Sequence, residues 1–170
     1  MVKRLINQGV DVNRWNIDRE YAIHVACKHN MFHIVEVLVN NGAYINVSTS
    51  PQKYSPLHYA ILYGTLELVH YLVNKKAILN SMNMYQETPL HIAASEGKID
   101  IYNFLLTQGV SEDVLDKYEE TPKDILKEVL KVQTQHAALI ADLLREEEPE
   151  LGEGRFLDAS ILDLPLVSIN

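Results

Sequence analysis

Histidines and carboxylates are the residue types in this chain that suit acid–base catalysis or metal binding, so their spacing decides whether either chemistry is available. The chain has seven histidines and 23 acidic residues. Three of the histidines, His24, His58 and His91, recur at steps of 34 and 33 residues inside similar hexapeptides, which points to a role in a scaffold. The remaining four show no metal-ligand spacing, and they are His29, His33, His70 and His136. We therefore expect no enzyme activity, no metal and no cofactor.

The hexapeptides around these histidines form a series with a nearly constant period. They are Tyr-Ala-Ile-His-Val-Ala from Tyr21, Ser-Pro-Leu-His-Tyr-Ala from Ser55, Thr-Pro-Leu-His-Ile-Ala from Thr88 and a degraded Thr-Pro-Lys-Asp-Ile-Leu from Thr121. Serine or threonine suits the N-cap of a helix, and proline suits its first position. Each hexapeptide therefore predicts a helix start, and the fixed period predicts a stack of repeats.

A second helix is predicted in each repeat after a turn residue, which is Asn30, Gly64 or Gly97. Apolar residues then follow at i, i+1, i+4 and i+5, which is the spacing of one helix face. These sets are Ile34, Val35, Leu38 and Val39; Leu68, Val69, Leu72 and Val73; and Ile101, Tyr102, Leu105 and Leu106. The same set occurs one period earlier as Met1, Val2, Leu5 and Ile6, so we expect the chain to open inside a repeat.

With its period of 33 residues and its Thr-Pro-Leu-His motif, the chain resembles the ankyrin-repeat family over residues 1–131. The resemblance implies an all-α solenoid of helix-turn-helix repeats joined by β-hairpin-like loops. It also implies that the motif histidines form hydrogen bonds both locally and to the neighbouring repeat. The predicted divisions are a truncated repeat at 1–13, repeats at 14–46, 47–80 and 81–113, a degenerate capping repeat at 114–148 and an acidic tail at 149–170.

The capping repeat has two possible structures. One is a helical hairpin whose second helix has a polar outer face and packs Ala138 and Leu139 on the previous repeat. The other is a single long helix from about Pro122 to Glu148, because Leu130 stands where the turn glycine should be. We favour the hairpin, since a solenoid needs a polar outer face on its end repeat.

Composition limits the classes of partner. The net charge is −8, and residues 142–163 hold eight acids against two arginines, which leaves about −2 for the repeats. No basic cluster is present, so we expect no nucleic-acid binding. No apolar run approaches the length of a membrane span and no signal peptide precedes the repeats, so we expect no membrane insertion and a location in the cytoplasm, the nucleus or both. We expect a monomer with a buried Cys27 and no disulfide.

Stacked repeats present an extended concave surface, and binding residues are those that the scaffold leaves free. Aromatic residues at such positions suit a protein or peptide partner, because they bury a large area with little rotamer entropy to lose. Pro51 lies in a loop one residue longer than the others, and such insertions tend to lie on the binding face. The predicted partner-binding residues are Trp15, Asp18, Arg19, Lys28, His29, Lys53, Tyr54, Leu62, Tyr63, Met84, Tyr85, Glu96 and Tyr118.

Asn13 is a predicted modification site. Ankyrin repeats are, as a family, hydroxylated at the hairpin asparagine when a leucine lies eight residues before it and an acid two before it. Leu5 and Asp11 fit that pattern. The turn preference of asparagine is an alternative explanation for its presence.

These features predict a non-catalytic protein-interaction module that acts as an adaptor or scaffold through its concave surface. A second hypothesis is a regulatory or targeting module in which residues 156–164 bind a partner or shield that surface. This segment interleaves apolar and acidic residues, which suits folding on binding. The half repeat at Met1 also suggests a fragment or isoform of a longer array.

Overall fold

The computed structural model describes residues 2–146, and side chains up to residue 141. It contains eight helices in this range: α1 Val2–Asn7, α2 Ala22–Lys28, α3 Phe32–Asn40, α4 Pro56–Tyr63, α5 Leu66–Asn74, α6 Pro89–Ser95, α7 Ile99–Thr107 and α8 Pro122–Glu146. The helices begin where the motifs predict, with Pro56, Pro89 and Pro122 each at the first helical position. The prediction of an all-helical repeat array is confirmed.

The helices pair in a repeating order within the first of two compact units, which ends at Thr134. Helices α2, α4 and α6 contact one another in series, and each contacts the helix that follows it in the chain. The predicted apolar sets form the core of this unit, where Val35, Leu68, Leu72 and Leu105 are fully buried. Cys27 is also fully buried, and burial raises the pKa of its thiol to about 12. The predicted interior cysteine is therefore confirmed.

Three histidines, His24, His58 and His91, link each repeat to the next by hydrogen bonds. We name this set of residues the histidine ladder. Their Nδ1 atoms accept from the backbone N–H three residues earlier, at 3.1 Å in each case. Because Nδ1 accepts, Nε2 carries the proton and donates to a carbonyl of the following repeat. These carbonyls belong to Val47, Glu87 and Glu120, at 3.2, 3.3 and 3.3 Å. The local and inter-repeat bonds expected from the family are confirmed.

Four loops separate the repeats and are named fingers 1 to 4, comprising residues 8–21, 41–55, 75–88 and 108–121. A single side chain organises the tip of fingers 1, 3 and 4 by accepting two backbone N–H groups, and these side chains are Asn16, Asn83 and Asp116. Finger 2 uses Thr49 instead, whose hydroxyl accepts from the Tyr54 amide at 3.0 Å. The backbone of the tips is therefore satisfied locally without regular strands.

Helix α8 corrects the expected hairpin, because it runs as one 25-residue helix from Pro122 to Glu146. The turns of earlier repeats place Asn30 and Gly97 at φ of 50° and 63°, a left-handed conformation that Leu130 disfavours. Residues 123–146 also contain no glycine or proline to break the helix. Ala138 and Leu139, expected to pack, are exposed, Leu139 by 58%.

Asp124 replaces the ladder histidine at the start of α8 and caps this helix instead. The Thr121 hydroxyl donates to Asp124 Oδ2 at 2.7 Å and accepts from its backbone N–H at 3.2 Å. This bond from Thr121 lowers the pKa of Asp124 below its usual value. Within the described residues no fifth finger follows α8, so a histidine at 124 would face no carbonyl of the kind that its counterparts bind.

Lys98 stabilises the stack in a way that the motif does not reveal. Its ammonium group donates to the Ile61 and Leu62 carbonyls at 2.7 and 2.9 Å, at the C-terminal end of α4. These carbonyls have few partners inside the helix, and a cation there also interacts favourably with the helix dipole. The side chain thus joins two neighbouring repeats.

We expect Lys98→Met to lower the free energy of unfolding by about 1 to 2 kcal/mol, because two partly buried carbonyls lose a charged donor. Urea unfolding followed by circular dichroism measures this change. Lys127→Met is the matched control, since this lysine is exposed on α8 and its loss should cost about 0.5 kcal/mol or less. Equal losses in the two variants would contradict the role assigned to Lys98.

Candidate functional site: the groove between fingers 1 and 2

Fingers 1 and 2 are held together differently from the other fingers. The Met84 amide donates to the Gln52 carbonyl at 3.0 Å and the Lys117 amide to the Tyr85 carbonyl at 2.9 Å, so fingers 2, 3 and 4 are joined in series at their tips. Among the described residues no backbone hydrogen bond joins fingers 1 and 2 at the corresponding place. A groove of about 690 Å³ lies between these two fingers.

The groove is built from both fingers and from the helices α2 and α4. Six of the predicted partner-binding residues line it: Asp18, Arg19, Lys28, Tyr54, Leu62 and Tyr63. The residues of the longer loop, Ser50, Pro51 and Gln52, form part of the same wall. The structure thus brings together in one cleft residues up to 46 positions apart in the chain, from Ile17 to Tyr63.

Three tyrosines give the groove an aromatic floor. The Tyr59 ring lies 5.5 Å from that of Tyr54 and stacks on that of Tyr63 at 6.2 Å, measured between centroids. Tyr63 is 54% exposed, whereas Tyr59 is buried. Burial raises the pKa of Tyr59 and of Tyr54, with the nearby Glu87 carboxylate as a further cause for Tyr54. Tyr63 is therefore the ring of this group most available to a partner.

A salt bridge lies in the groove beside this floor. Lys28 Nζ lies 3.6 Å from Glu20 Oε1 and 6.0 Å from the centre of the Tyr59 ring. The Glu20 side chain is only 15% exposed, while that of Lys28 is 43% exposed. Charged lining residues balance in sign, with Asp18 and Glu20 against Arg19 and Lys28. A partner would therefore meet a neutral surface with charged groups at fixed positions, which favours orientation over bulk attraction.

Trp15 lies next to the groove on finger 1. Its ring packs edge-on against Tyr21 at 5.9 Å, and the side chain is still 64% exposed. Together with Arg19, Tyr21, Ser48 and Ser50 it lines a second cavity of about 160 Å³. The exposed indole and the adjacent groove present two neighbouring apolar surfaces on the same pair of fingers.

The remaining predicted residues do not line this groove. Lys53 lies at the tip of finger 2 with a φ of 59°. Tyr118 is 63% exposed on finger 4, and Met84 is 44% exposed on finger 3. Tyr85 is half-buried, while His29 and Glu96 are exposed at the ends of α2 and α6.

Several groove residues were missed from sequence, namely Ile17, Glu20, Thr49 and Tyr59. A signal for Tyr59 was present, because the other three copies of the hexapeptide place Val25, Ile92 or Ile125 at its position. Ile17 is 97% exposed, which is unusual for an isoleucine and visible only in the structure. Glu20 gave no signal, since Glu87 and Glu120 occupy the same position in later repeats.

Asn13, the predicted modification site, makes the scaffold contact that its position would give in any repeat. Its side-chain amide donates to the Gly42 carbonyl at 2.9 Å and accepts from the Tyr44 amide at 2.8 Å. Asn46 makes the same pair of bonds one repeat later. These bonds explain both asparagines as links between repeats, and hydroxylation of Asn13 stays a prediction.

No group of three histidine, cysteine or acidic side chains within the described part of the chain is placed to hold a metal ion. The helices of residues 2–146 include none that is both long and apolar enough to span a membrane.

Comparison with known families agrees with the repeat architecture. The family described as "Ankyrin repeats (3 copies)" matches residues 1–83 and 41–117, which together make up about two thirds of the chain. The protein belongs to the ankyrin-repeat family, a general class of protein–protein interaction modules that is typically non-catalytic. No curated protein matches the chain, and no catalytic family was found for it.

Proposed function

We propose that this protein is an adaptor that binds a partner protein or peptide through the groove between fingers 1 and 2, in the cytoplasm, the nucleus or both. The observation that carries the proposal is the groove itself, in which six independently predicted residues meet. Its aromatic floor supplies apolar area, and its fixed charges supply orientation. Hot spots of interfaces have this composition, with aromatic side chains and arginine beside a depression.

The proposed partner approaches along Tyr63 and Trp15, which are the exposed aromatic residues beside the groove. Lys28 and Arg19 stand near them and suit hydrogen bonds to carboxylate or carbonyl groups of a peptide. A complex of this kind needs little rearrangement of the chain, because Tyr63 is already stacked on Tyr59 and Trp15 is already packed edge-on against Tyr21.

A pull-down from cell lysate with the full chain, followed by mass spectrometry, identifies the partner, and isothermal titration then measures its affinity. We expect Tyr63→Ala to weaken binding about tenfold, because an exposed hot-spot ring is lost while the scaffold stays intact. Tyr44→Ala is the matched control, since Tyr44 is 61% exposed and does not line the groove. A partner that binds both variants with wild-type affinity would place the site elsewhere.

The regulatory hypothesis concerns residues 156–164, which lie outside the described part of the chain. Leu157→Glu with Ile161→Glu in the full chain tests it in the same assay. Weaker capture of the partner would make the segment part of the binding site, and stronger capture would mean that it shields the groove. Unchanged capture would remove the hypothesis and leave the groove proposal standing.

A further inference from the structure

The groove between fingers 1 and 2 departs from the repeat pattern in several residues at once. Tyr59 stands where the other hexapeptides have valine or isoleucine, and Tyr63 stands where the other copies have a histidine, a glutamate and a valine. Pro51 lies in the finger that is one residue longer than the others. All three residues line the groove. Features that the other repeats lack are not needed for stacking, so they point to a role in binding.

The tip of finger 1 has the same backbone arrangement as the tip of finger 3. An asparagine at the tip accepts two backbone amides in both fingers. The residue after the tip carbonyl is left-handed in both, with a φ of 56° at Arg19 and of 59° at Gln86. The Asp18 carbonyl therefore points toward finger 2 in the way that the Tyr85 carbonyl points toward finger 4.

The Asp18 carbonyl lacks the partner that its counterparts have. The aligned carbonyls of fingers 2 and 3 accept the Met84 and Lys117 amides. Pro51 occupies the donor position in finger 2, and proline has no N–H. No backbone N–H among the described residues bonds to the Asp18 carbonyl, and both Asp18 and Pro51 line the groove. One wall of the groove therefore carries a backbone acceptor that the fold does not use.

The two walls also differ in charge. Finger 1 and α2 contribute all the charged lining residues, whose signs cancel, whereas finger 2 and α4 contribute uncharged polar, aromatic and aliphatic side chains. A groove of this kind has no net attraction for a charged ligand. A peptide main chain supplies N–H donors without charge, so it matches the free carbonyl and the aromatic floor better than an ionic ligand does.

We propose that the occupant of the groove is an extended peptide segment, one of whose backbone N–H groups donates to the Asp18 carbonyl in place of the missing finger 2 amide. Successive side chains of an extended chain point to opposite faces, so every second one lies on the Tyr59 and Tyr63 rings and is apolar. Main-chain bonds then give affinity and the side chains give specificity, as in strand addition to a sheet edge. The inference rests on the proposed function, because it specifies how the groove holds its partner.

A phage library of linear peptides, each about 12 residues long and therefore about 40 Å when extended, supplies the probe. Selection uses the full chain, and counter-selection on Tyr63→Ala removes peptides that bind outside the groove. We expect the selected peptides to carry apolar residues at alternate positions. Tyr44→Ala is the matched control and should bind them as the wild type does.

Each backbone amide of a selected peptide is then replaced in turn by an ester, which removes one N–H donor and leaves the side chains in place. One replacement should weaken binding about tenfold, because the covered Asp18 carbonyl loses its donor. The carbonyl resonance of Asp18, followed by NMR in a carbon-13-labelled chain, should shift with the amide peptide and shift less with that ester. The Tyr118 carbonyl is the control, since it also has no backbone donor among the described residues but belongs to finger 4.

Peptides that need Tyr63 but tolerate every ester within about twofold, less than the loss of one hydrogen bond, would overturn the inference and leave the groove as the binding site. An Asp18 carbonyl that shifts no more than that of Tyr118 would overturn it as well. A library that yields no peptide dependent on Tyr63 would exclude an extended peptide as the occupant. The lysate pull-down with Tyr63→Ala then decides separately whether the groove binds a folded partner.

Discussion

Acidification from about pH 8 to about pH 4.5 should lower the free energy of unfolding by about 2 to 3 kcal/mol through His58 alone. His58 is fully buried in the histidine ladder, and burial lowers the pKa of its imidazole from 6.5 to about 4. The bond from Nε2 to the Glu87 carbonyl opposes this shift and does not overcome it. Burial lowers the pKa of His24 as well, so its contribution has the same sign.

The direction follows from which state takes up protons first. An unfolded chain protonates His58 near its ordinary pKa of 6.5, while the folded chain keeps it neutral down to about pH 4. Between these values the unfolded state binds more protons, so stability falls as the pH falls. The stabilisation is complete above about pH 6.5 and is lost progressively toward about pH 4. A protonated Nδ1 would also lose its ability to accept from the Ser55 amide.

Urea unfolding of the wild type and of His58→Gln across this range separates His58 from the carboxylates that also titrate at low pH. Glutamine can accept and donate as neutral histidine does, but it carries no titrating proton. The variant should therefore lose less stability on acidification than the wild type, by about 2 to 3 kcal/mol. His29→Gln is the control, because His29 is exposed and should leave the pH dependence unchanged. Parallel pH profiles of the wild type and His58→Gln would refute the explanation.

The repeat scaffold was predictable because its determinants are local and recur. A capping residue, a proline at the first helical position and a histidine three residues after the cap define each first helix within a few residues of sequence. The family resemblance adds that each histidine bonds to the next repeat, without naming the carbonyl. His58 and His91 use the same position, Glu87 and Glu120, whereas His24 uses Val47 and not the aligned Tyr54. Helix starts at Pro56, Pro89 and Pro122 and the bonds of the histidine ladder agree with these predictions.

The end of the array was mispredicted because periodicity was given more weight than backbone conformation. Two of the four positions expected to be apolar in the last repeat, Ala138 and Leu139, are apolar. This partial match favoured another helix pair after Thr121. Leu130 argues against it, because leucine disfavours the left-handed turn of Asn30 and Gly97. The third aligned turn, at Gly64, has no room for a Cβ atom beside the Ala60 carbonyl oxygen. Turn chemistry at this position, together with the absence of glycine and proline from residues 123–146, therefore favours one continuous helix.

The residue types of the groove were predicted, whereas its location was missed although the sequence carries a signal for it. Alignment of the copies identified Asp18, Arg19, Lys28, Tyr54 and Tyr63 as free of scaffold roles, and these residues meet in one cleft. Which pair of fingers would separate depends on hydrogen bonds between tips. The donors Met84 and Lys117 each lie four residues before a hexapeptide, and Pro51, at that position in finger 2, has no N–H to donate. Tyr85 was grouped with the others and instead gives its carbonyl to the Lys117 amide in the joined row of fingers.

Gly64 should be the least replaceable glycine of the array, for a reason that differs from that of the turn residues aligned with it. Asn30 and Gly97 have a positive φ, whereas Gly64 has a φ of −94°, which any residue can adopt. A Cβ atom at Gly64 would lie 2.5 Å from the Ala60 carbonyl oxygen and 3.0 Å from Leu68 Cδ2. The first of these neighbours is helix backbone and the second is buried core, so neither can move away freely.

We expect Gly64→Ala to lower the free energy of unfolding by about 2 to 3 kcal/mol through this overlap. Gly97→Asn is the informative comparison, because Asn30 already occupies the aligned position at a φ of 50° and asparagine tolerates this region. A side chain at 97 would meet the flexible end of Gln133, so the loss should be about 1 kcal/mol or less. Urea unfolding of both variants ranks them, and a larger loss for Gly97→Asn would mean that conformation, and not close approach, selects glycine at these turns.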